Sequence, residues 1–361
     1  MASVTHTEFG RDTTGSQVAA SFPDAVRGKT ILITGGNRHG LGFSAARALA
    51  SQSPRRLIIA GRSSAKVQEC IDALRRDFPA VDYRPLELDL SEQKSVRASA
   101  AAVLSWDDVP AIDLVINSAA VMCVEERTLT GDGVELHLAT NHIGHWLLSC
   151  LIMPKLIKAA ETNAKGATRV VNVSSGSSRW GGLRWSDMNF DKKNKDLPKE
   201  EQPIEGLMMG WGYSDVADTA YIPLDGYNRS KSANVLCGIG ISRHLFAKHG
   251  ILGVSVHPGV INTELSRHFP EVVLDKVDDM IEAGMFYRKS FEAGSSTTLV
   301  AALDPELSVG VGESKNGAEN WGSYLEDCQI CDKAHARCVS SQEADRLWAY
   351  SEGVVGQEFA W

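Results

Sequence analysis

The segment from Thr30 to Ala50 constrains the fold more than any other part of the chain. An apolar run from Thr30 to Thr34 (TILIT) predicts a buried β-strand, and the glycine-rich stretch from Gly35 to Gly42 (GGNRHGLG) follows it directly. The pattern of Leu41 to Ala50 then predicts a helix. Glycines in such a turn let the backbone approach an anion, to which the helix N-terminus offers unpaired N–H groups. This order of elements therefore predicts a site for the phosphates of a dinucleotide.

Five further β-rich runs alternate with helical patterns along the chain. They cover residues 57–60, 83–90, 113–117, 169–174 and 251–257. Strands separated by helical segments imply right-handed crossovers and a parallel sheet. With 361 residues, the chain is long enough to cover both faces of one sheet. We therefore predict an α/β fold with a single Rossmann-type, doubly wound parallel sheet flanked by helices.

Three segments depart from this pattern. Residues 1–28 are polar and lack the apolar core of a secretory signal, so we expect a flexible N-terminal arm that packs late, around Phe22 and Val26. The dinucleotide-binding domain then spans residues 29–361 and ends in a C-terminal extension, 311–361. Within this domain, residues 176–226 are rich in aromatic and methionine side chains and too long for a simple connection. This cap insertion is either a surface insertion with its own aromatic cluster or a lid over a substrate.

Composition excludes several classes of partner. The formal net charge of −8 provides no basic face for nucleic acid, so a small-molecule substrate is the expected partner. No apolar run approaches the roughly 18 residues that a membrane-spanning helix needs. Seven cysteines argue against a disulfide framework and favour the cytoplasm. Cys328, Cys331, His335 and Cys338 are close in sequence, but one CxxC pair is weak support for zinc, so we expect unrelated thiols and no metal.

Arginines near the phosphate turn indicate which dinucleotide binds. Folds that prefer NAD place an acid near the end of the second strand, where it binds the ribose hydroxyls. Here that strand is followed by Gly61-Arg62-Ser63, without an acid, and Arg38 adds a second cation. Guanidinium groups suit bidentate binding of phosphate. The two arginines therefore predict NADP(H), whose 2′-phosphate they would bind.

A tyrosine and a lysine at the start of a later helix have a spacing suited to proton transfer. Tyr227 and Lys231 are four residues apart, so they lie on one helical face. A free phenol has a pKa of about 10, which is too high for efficient proton exchange near neutrality. A neighbouring ammonium stabilises the phenolate and is expected to lower that pKa. Since this spacing is common by chance, its value depends on the surrounding motifs.

Those motifs resemble the short-chain dehydrogenase/reductase superfamily, and more closely its retinol-dehydrogenase-like and fungal branch. Besides the phosphate turn and the Tyr227–Lys231 pair, they are Leu88-Asp89-Leu90, Asn117-Ser118-Ala119-Ala120, Asn141-His142-Ile143-Gly144-His145, Ser174-Ser175, and His257-Pro258-Gly259-Val260 with Thr263. Together with the glycine-rich turn, the resemblance implies cofactor contacts at Gly35, Gly36, Asn37, Arg38, Gly40, Leu41, Gly42, Arg62, Asp89, Leu90, Asn117, Tyr227, Lys231, Pro258, Gly259, Val260 and Thr263.

The resemblance also implies a catalytic tetrad of Asn141, Ser175, Tyr227 and Lys231. Tyr227 would protonate the carbonyl oxygen as hydride arrives, and Lys231 would lower the pKa of Tyr227 and bind the nicotinamide ribose. Ser175 would hydrogen-bond the substrate oxygen. Asn141 would hold a water molecule that links Lys231 to solvent.

Three features depart from the common family pattern. The phosphate turn has one residue more than usual, so either Gly35 or Gly36 takes the role of the first glycine. Ser118 and Ala120 replace Asn and Gly, which we expect to alter loop hydrogen bonding more than chemistry. The segment between the serine and the tyrosine of the tetrad is longer than in small members, which places the cap insertion over the mouth of the expected active site.

The expected function is that of an NADP(H)-dependent carbonyl reductase or alcohol dehydrogenase. The side chains of the cap insertion favour a bulky apolar ketone or secondary alcohol, such as a polyketide, terpenoid or steroid-like compound, and hence a role in secondary metabolism. Two alternatives stay open: a non-redox isomerisation, dehydration or cyclisation with NADP bound, and an NADP-sensing regulatory protein. The oligomeric state is either a homodimer or a monomer. A monomer is expected if aromatic residues of the C-terminal extension cover the helices through which family members usually associate.

Overall fold

The six predicted strands form the centre of one parallel sheet. The computed structural model describes residues 1–269 and 271–361. The strands are β1 (Thr30–Thr34), β2 (Arg56–Gly61), β3 (Asp82–Glu87), β4 (Leu114–Asn117), β5 (Arg169–Val173) and β6 (Leu252–His257). They lie in the order β3-β2-β1-β4-β5-β6, and every neighbouring pair is parallel. The predicted α/β, Rossmann-type sheet is confirmed.

Helices cover both faces of this sheet. They are α1 (Gly15–Ser21), α2 (Leu41–Ala50), α3 (Ser64–Asp77), α4 (Gln93–Ser105), α5 (Leu136–Leu138), α6 (Gly144–Ala160), α7 (Glu205–Gly210), α8 (Pro223–His249), α9 (Glu271–Glu282), α10 (Phe291–Leu303), α11 (Ala336–Val339) and α12 (Ser341–Val355). Along β1, Leu32 packs into one apolar cluster with α4, α6 and α8. Ile31 and Ile33 pack into a second cluster with α2, α3 and α10. This burial on both faces explains why the strand is apolar at nearly every position.

Four short strands complete the β-structure of the described residues. β7 (Val260–Ile261) pairs in parallel with β8 (Arg288–Lys289). β9 (Tyr324–Glu326) and β10 (Gln329–Ile330) extend the main sheet beyond β6, with β9 parallel to β6 and β10 antiparallel to β9. The segment expected to be a C-terminal extension therefore contributes two strands to the central sheet.

The N-terminal arm is packed, which differs from the expected flexible segment. Thr14 and Gln17 form a reciprocal capping box at the start of α1. Val18 and Val26 are buried, and α1 lies against α10. Thr5 also donates from its N–H to Asp304 Oδ2 over 2.7 Å. Local capping and long-range contacts together order an arm that has little apolar sequence of its own.

One helical segment has the length and mean apolarity of a membrane span, although its sequence is not a continuous apolar run. Residues Leu136–Ala160 are long and apolar enough to cross a bilayer by length and composition. However, 72% of the apolar window is buried inside the protein. Its side chains pack in the apolar cluster shared with α4 and α8, where Trp146 and Leu147 are almost wholly inaccessible. The apolar character of this segment is accounted for by the core.

Candidate active site

Gly35 takes the role of the first glycine in the turn after β1. It has a φ of +88°, where a side chain would be strained, whereas Gly36 lies outside the left-handed region. Gly36 packs against β2, and an added Cβ would lie 2.8 Å from Ile59 Cγ2. A Cβ on Gly42 would lie 2.8 Å from Thr34 O, so this glycine allows α2 to begin against β1. The turn therefore has the close-packed form that its glycines predict.

The first turn of α2 is open to an anion. Its N-cap is Gly40, and no side chain caps the N–H groups that begin with Leu41. Uncapped N–H groups at a helix start, together with the helix dipole, favour a phosphate. Asn37, earlier in the turn, donates from Nδ2 to Glu264 Oε2 over 2.6 Å, so the segment after β7 reaches the phosphate turn. These features fit the pyrophosphate of a dinucleotide.

Three cations lie around the ends of the phosphate turn and β2. Arg62 is exposed immediately after β2, and Lys66 lies in the first turn of α3. The Arg38 guanidinium lies over the Phe43 ring, 4.7 Å from its centroid. Lys66 Nζ lies 2.9 Å from Glu264 Oε2. Lys66 was not among the predicted residues, although its place one helical turn after the strand end could have identified it.

A cavity lies beside this region. It has a volume of about 310 Å³ and is lined by Arg38, Phe43 and Phe78 among others, between α2 and α10. No member of the predicted tetrad lines it. The cavity is therefore separate from the chemistry expected at Tyr227.

The predicted contacts after β3 and β4 differ in accessibility. Asp89 is half-buried beside buried Leu90, and its Oδ1 accepts hydrogen bonds from Ser91. Asn117 is buried, and its Nδ2 donates to Asn172 Oδ1 over 2.9 Å. Because these two asparagines face each other in the register of β4 and β5, the Asn117 Nδ2 group is used within the sheet, whereas its buried Oδ1 has no hydrogen-bond partner among the described residues. This geometry differs from a direct side-chain contact with a cofactor.

The segment after β6 carries the predicted cofactor contacts Pro258 to Thr263 and includes the short strand β7. Pro258 is followed by Gly259, which has a φ of +99°, and a Cβ there would lie 2.8 Å from Lys289 Cδ. Val260 belongs to β7. Thr263 Oγ1 accepts a hydrogen bond from Leu265 N over 3.2 Å and caps the short helical turn Glu264–His268. This turn contains Glu264, which contacts both the phosphate turn and Lys66.

Three members of the tetrad meet at the carboxyl end of β5. Tyr227 and Lys231 lie on consecutive turns near the start of α8 and are buried. Lys231 Nζ lies 5.6 Å from the centroid of the Tyr227 ring and donates to Val173 O over 2.8 Å. Ser175 follows β5 and lies close enough to the Tyr227 phenol to influence its pKa, and its Oγ lies 2.9 Å from Ser177 Oγ. This arrangement can hold a carbonyl oxygen and exchange a proton with it.

Burial controls the protonation of the pair, contrary to the expected lowering of the tyrosine pKa. Burial raises the pKa of Tyr227, and the hydrogen bond with Ser175 opposes that rise without cancelling it. Burial also lowers the pKa of Lys231 to about 7. A lysine that is partly neutral near pH 7 is a weaker source of positive charge for its neighbour. Tyr227 is therefore a protonated phenol in this environment.

Asn141 lies in a π-helical turn, Ala139–Ile143, between α5 and α6. Its side chain binds the loop after β4: Nδ2 donates to Val121 O over 2.9 Å, and Oδ1 accepts from Val121 N over 2.8 Å. His145 Nδ1 lies 3.1 Å from Asn141 O, and its Nε2 lies 2.8 Å from Thr34 Oγ1. π-Turns of this kind occur often at functional sites. The turn connects Asn141 to the strand that begins the phosphate turn, and His145 was not predicted to take part.

The cap insertion packs directly on Tyr227. Apolar residues of the insertion and of the loop after β4 form one cluster with this tyrosine, and its buried members are Cys123, Met208, Val216, Ile222, Leu224 and Tyr227. Trp211, Tyr213 and Phe269 are among the partly buried residues that pack against it. Trp211 also stacks on Phe286, with ring centroids 6.2 Å apart, so the insertion meets the segment after α9.

A buried acid–histidine pair supports the other side of Tyr227 and was not predicted. Glu135 Oε1 lies 2.7 Å from His137 Nδ1, and both side chains are inaccessible. The His137 ring centroid lies 6.4 Å from that of Tyr227. Tyr221 donates to Val124 O over 2.7 Å, while His137 Nε2 lies 3.3 Å from Val124 N. Together these groups hold the loop that carries Cys123.

The cysteines near the C-terminus are held in different surroundings. Cys328 Sγ lies 3.2 Å from Ser296 Oγ, Cys331 bonds to Glu326, and Cys338 bonds to Gly181 O. No cluster of three or more metal-ligating side chains is found across residues 1–269 and 271–361. These cysteines, although close in sequence, therefore contact different partners in the fold.

The sheet, the phosphate turn and the serine–tyrosine–lysine arrangement define a class of protein. A family model described as short chain dehydrogenase matches residues 29–187. The chain belongs to the short-chain dehydrogenase/reductase family and is an oxidoreductase of that family. The match covers the phosphate turn, Asn141 and Ser175 and ends before Tyr227.

Individual relatives confirm the resemblance to the retinol-dehydrogenase-like and fungal branch. Oxidoreductase fscI of Fusarium equiseti is 35% identical over 251 residues, which cover 70% of this chain and 94% of that protein. Human retinol dehydrogenase 14 is 30% identical over 348 residues, which cover 92% of this chain and 88% of that protein. A crystal structure of an uncharacterised protein from Mycobacterium paratuberculosis has a TM-score of 0.61 and 25% identity, covering 97% of this chain and all (100%) of that one.

Proposed function

We propose that the protein is an NADP(H)-dependent carbonyl reductase or alcohol dehydrogenase that acts on a bulky apolar ketone or secondary alcohol. The observation that carries the proposal is the approach of the Ser175 and Tyr227 hydroxyls beside the buried Lys231. Two neighbouring hydroxyl groups suit a carbonyl oxygen, which gains negative charge as it is reduced.

Tyr227 is the general acid in this mechanism. Because burial raises its pKa, the phenol carries its proton at neutral pH and can donate it to the carbonyl oxygen. Ser175 donates a hydrogen bond to the same oxygen and holds it against Tyr227. When bound, NADPH supplies the hydride for the carbonyl carbon. In the reverse direction, Tyr227 would accept the proton of the alcohol.

Lys231 and Asn141 return a proton to Tyr227. With a pKa of about 7, Lys231 gains and loses a proton readily near neutrality. Its Nζ is inaccessible to solvent, so a relay is needed to exchange that proton. We assign this relay to a water held by Asn141 O, which retains an acceptor site beside its contact with His145.

The cofactor assignment depends on charge at the end of β2. Arg62 and Lys66 are exposed there, Arg38 lies in the preceding turn, and the strand end provides no acid for a ribose diol. These cations would hold the 2′-phosphate of NADP(H), while Gly35 to Gly42 would hold the pyrophosphate. Asp89 and Leu90 would border the adenine, and Pro258, Gly259, Val260 and Thr263 would border the nicotinamide.

The substrate assignment rests on the cap insertion, which we propose acts as a lid. Its side chains pack on Tyr227 as an apolar cluster, so the reacting carbonyl must lie next to apolar surface. Trp211 and Met208 provide the large and adaptable contacts that suit a bulky ring system. A polyketide, terpenoid or steroid-like ketone has these properties.

The test is a spectrophotometric assay with purified protein, NADPH and a panel of bicyclic and steroid-like ketones. We expect a ketone-dependent loss of absorbance in the nicotinamide band, coupled to formation of the alcohol, and little activity with NADH. Product that forms without an absorbance change would contradict the proposal and indicate a non-redox reaction. Product analysis by mass spectrometry separates the two results, since reduction adds two hydrogens.

We also propose that the protein is a monomer of the cytoplasm. Helix α12 covers α8 and α6, where Trp348 stacks on His244 at 4.1 Å and meets Trp146 edge-on at 5.3 Å. By the family resemblance, α6 and α8 are the helices through which two subunits would associate. All seven cysteines are free thiols, which suits a reducing compartment. Size-exclusion chromatography with light scattering should give a mass near 39.1 kDa.

A further inference from the structure

Strand β9 brings two side chains from the C-terminal segment onto the turn that carries Ser175. Tyr324 and Glu326 are two residues apart on a strand, so they project to the same face. Tyr324 Oη donates a hydrogen bond to Ser175 O over 3.0 Å. Glu326 forms an ion pair with Arg179, at the end of the helical turn Gly176–Arg179 that follows the serine. The strand thus contacts both ends of this turn.

Both contacts are set in a buried environment. Tyr324 is 1% exposed, and burial raises the pKa of its phenol, so it stays a hydrogen-bond donor throughout the physiological range. Burial acts to raise the pKa of Glu326, but hydrogen bonds from Arg179 and Cys331 outweigh it and lower the pKa to about 2. The carboxylate is therefore charged near neutral pH and attracts Arg179.

The position of this turn decides where the Ser175 hydroxyl lies. Ser175 has extended backbone angles, φ −158° and ψ 161°, and it is the last residue before the helical turn. Its carbonyl also accepts from Ser178 Oγ over 3.1 Å, within the turn itself. Tyr324 adds an anchor from a separate strand, and that strand pairs with β6 in the main sheet. The anchor is 149 residues from Ser175 in sequence.

We propose that Tyr324 is a positioning residue that fixes the backbone of Ser175, so that the serine hydroxyl stays beside Tyr227. The proposal rests on the proposed function, because it assigns Ser175 a role in catalysis. Displacements of about 1 Å in a catalytic group can cost up to 100-fold in rate. Loss of one anchor among several should cost less, about 10-fold in kcat.

The test is the single change Tyr324→Phe, which removes the hydroxyl and retains the ring that fills the core. Tyr83→Phe is the matched control: Tyr83 is 6% exposed on β3 and donates to the carbonyl oxygens of Leu74 and Phe78, at 3.3 and 3.1 Å. Both changes remove a buried phenol–carbonyl bond from a sheet strand. Only the first of these bonds ends on Ser175.

We expect Tyr324→Phe to lower kcat about 10-fold for ketone reduction and to leave the Kd of NADPH, measured by fluorescence titration, unchanged. Tyr83→Phe should cost similar thermal stability and no turnover. In a Ser175→Ala background, single-turnover measurements at high enzyme concentration should show no further loss from Tyr324→Phe, because the anchor then positions no hydroxyl. Such non-additivity would not arise from general destabilisation.

Two results with Tyr324→Phe would overturn the proposal. One is full turnover in Tyr324→Phe, and the other is an equal loss in the Ser175→Ala background. If Tyr324→Phe is too unstable to assay, Glu326→Gln provides a second variant, because it weakens the ion pair with Arg179 as well as the contacts with Cys331 and Lys333. It should give a smaller loss confined to kcat, and an unchanged kcat would also refute the proposal. A Ser175→Ala variant with normal turnover would instead refute the serine's role in the proposed function.

Discussion

The nucleotide half of the molecule, residues 29–175, and the cap insertion, residues 176–226, are organised by different kinds of contact. In the nucleotide half, backbone hydrogen bonds between neighbouring strand ends hold the phosphate turn: Gly35 N and Gly36 N both donate to Ala60 O on the adjacent strand, at 2.9 and 3.0 Å. In the cap insertion, Trp211 depends on Phe286, which lies 75 positions further along the chain. In the proposed function, the first region holds the cofactor and the second contacts the substrate.

Tyr227 lies where the two regions meet, so its removal should have the largest effect. We expect Tyr227→Phe to lower kcat by about 10³-fold, because it deletes the general acid and retains the ring that packs against the cap cluster. The Kd of NADPH and the melting temperature should change little. Steady-state kinetics, cofactor titration and thermal unfolding check the three statements.

Tyr221→Phe is a control for that substitution. Tyr221 is a neighbouring phenol of the cap insertion that donates to Val124 O and not to the expected substrate position. Its loss should affect stability more than kcat. A Tyr227→Phe variant whose turnover stays within about 3-fold of wild type would contradict the proton-donor role. A tenfold change in rate corresponds to about 1.4 kcal/mol in activation free energy.

A substitution confined to the nucleotide half should change cofactor choice and leave the substrate unaffected. We expect Arg62→Asp to weaken NADPH use by about 100-fold in kcat/KM, because it removes a charged phosphate contact and adds repulsion. NADH use should be unchanged or improved, since a carboxylate there can bind the ribose hydroxyls. Kinetics with both cofactors at saturating ketone would measure the ratio.

Arg55→Asp gives the same change in net charge at the opposite end of β2, where Arg55 is also exposed. It should leave the NADPH to NADH ratio at the wild-type value. Equal effects of the two substitutions would mean that overall charge, and not a local phosphate site, sets the preference.

These two regions also explain which parts of the structure were predictable from sequence. The strand–turn–helix around Gly35 and the pairing of Tyr227 with Lys231 are set by neighbours within a few residues, so local patterns indicated them. The direction of the Asn117 side chain was not indicated, because it depends on Asn172, which is 55 positions away. Tyr324 was missed because β9 has only 3 residues and too little sequence for a periodic signal.

The predicted direction of the Tyr227 pKa shift was wrong for a related reason. Sequence spacing places the ammonium near the phenol, but it does not report burial, which raises one pKa and lowers the other. The N-terminal arm differs from expectation because its order comes from α10 and Asp304, far along the chain. In each case a long-range contact outweighs a local tendency.

A substitution confined to the cap insertion should change substrate binding and leave cofactor binding unaffected, which is the opposite of the effect expected for Arg62→Asp. We expect Trp211→Ala to raise KM for a steroid-like ketone by about 10-fold, since it removes apolar contact worth roughly 1.5–3 kcal/mol when fully buried. A small ketone such as cyclohexanone, which would not reach Trp211, should keep its KM. The KM of NADPH should be unchanged.

Trp180→Ala is the matched control within the same insertion. Trp180 is 46% exposed and does not belong to the apolar cluster on Tyr227. It should leave KM unchanged for both ketones. A 10-fold rise in KM for the small ketone in Trp211→Ala would show that the insertion acts on the whole site and not as a size-selective lid.

The smallest expected effect concerns stability and follows from the lowered pKa of Lys231. Below about pH 7 the lysine is protonated in both the folded and unfolded states, so the cost of burying its charge is fully present. Between pH 7 and its ordinary pKa of 10.5, the unfolded state holds a proton that the folded state has released, and stability rises with pH. Lys231→Met removes this cost, while Val173 O still accepts from Asn234 Nδ2 over 3.1 Å.

We therefore expect Lys231→Met to be more stable than wild type by about 1 kcal/mol at pH 6, and the difference to fall towards zero by pH 10. Lys248→Met, an exposed lysine near the end of the same helix, should show no such pH-dependent gain. Urea unfolding at several pH values measures both. A Lys231→Met variant that is less stable at pH 6 would mean that the lysine is stabilised in place, which would remove the physical basis for a lysine that exchanges its proton near neutrality.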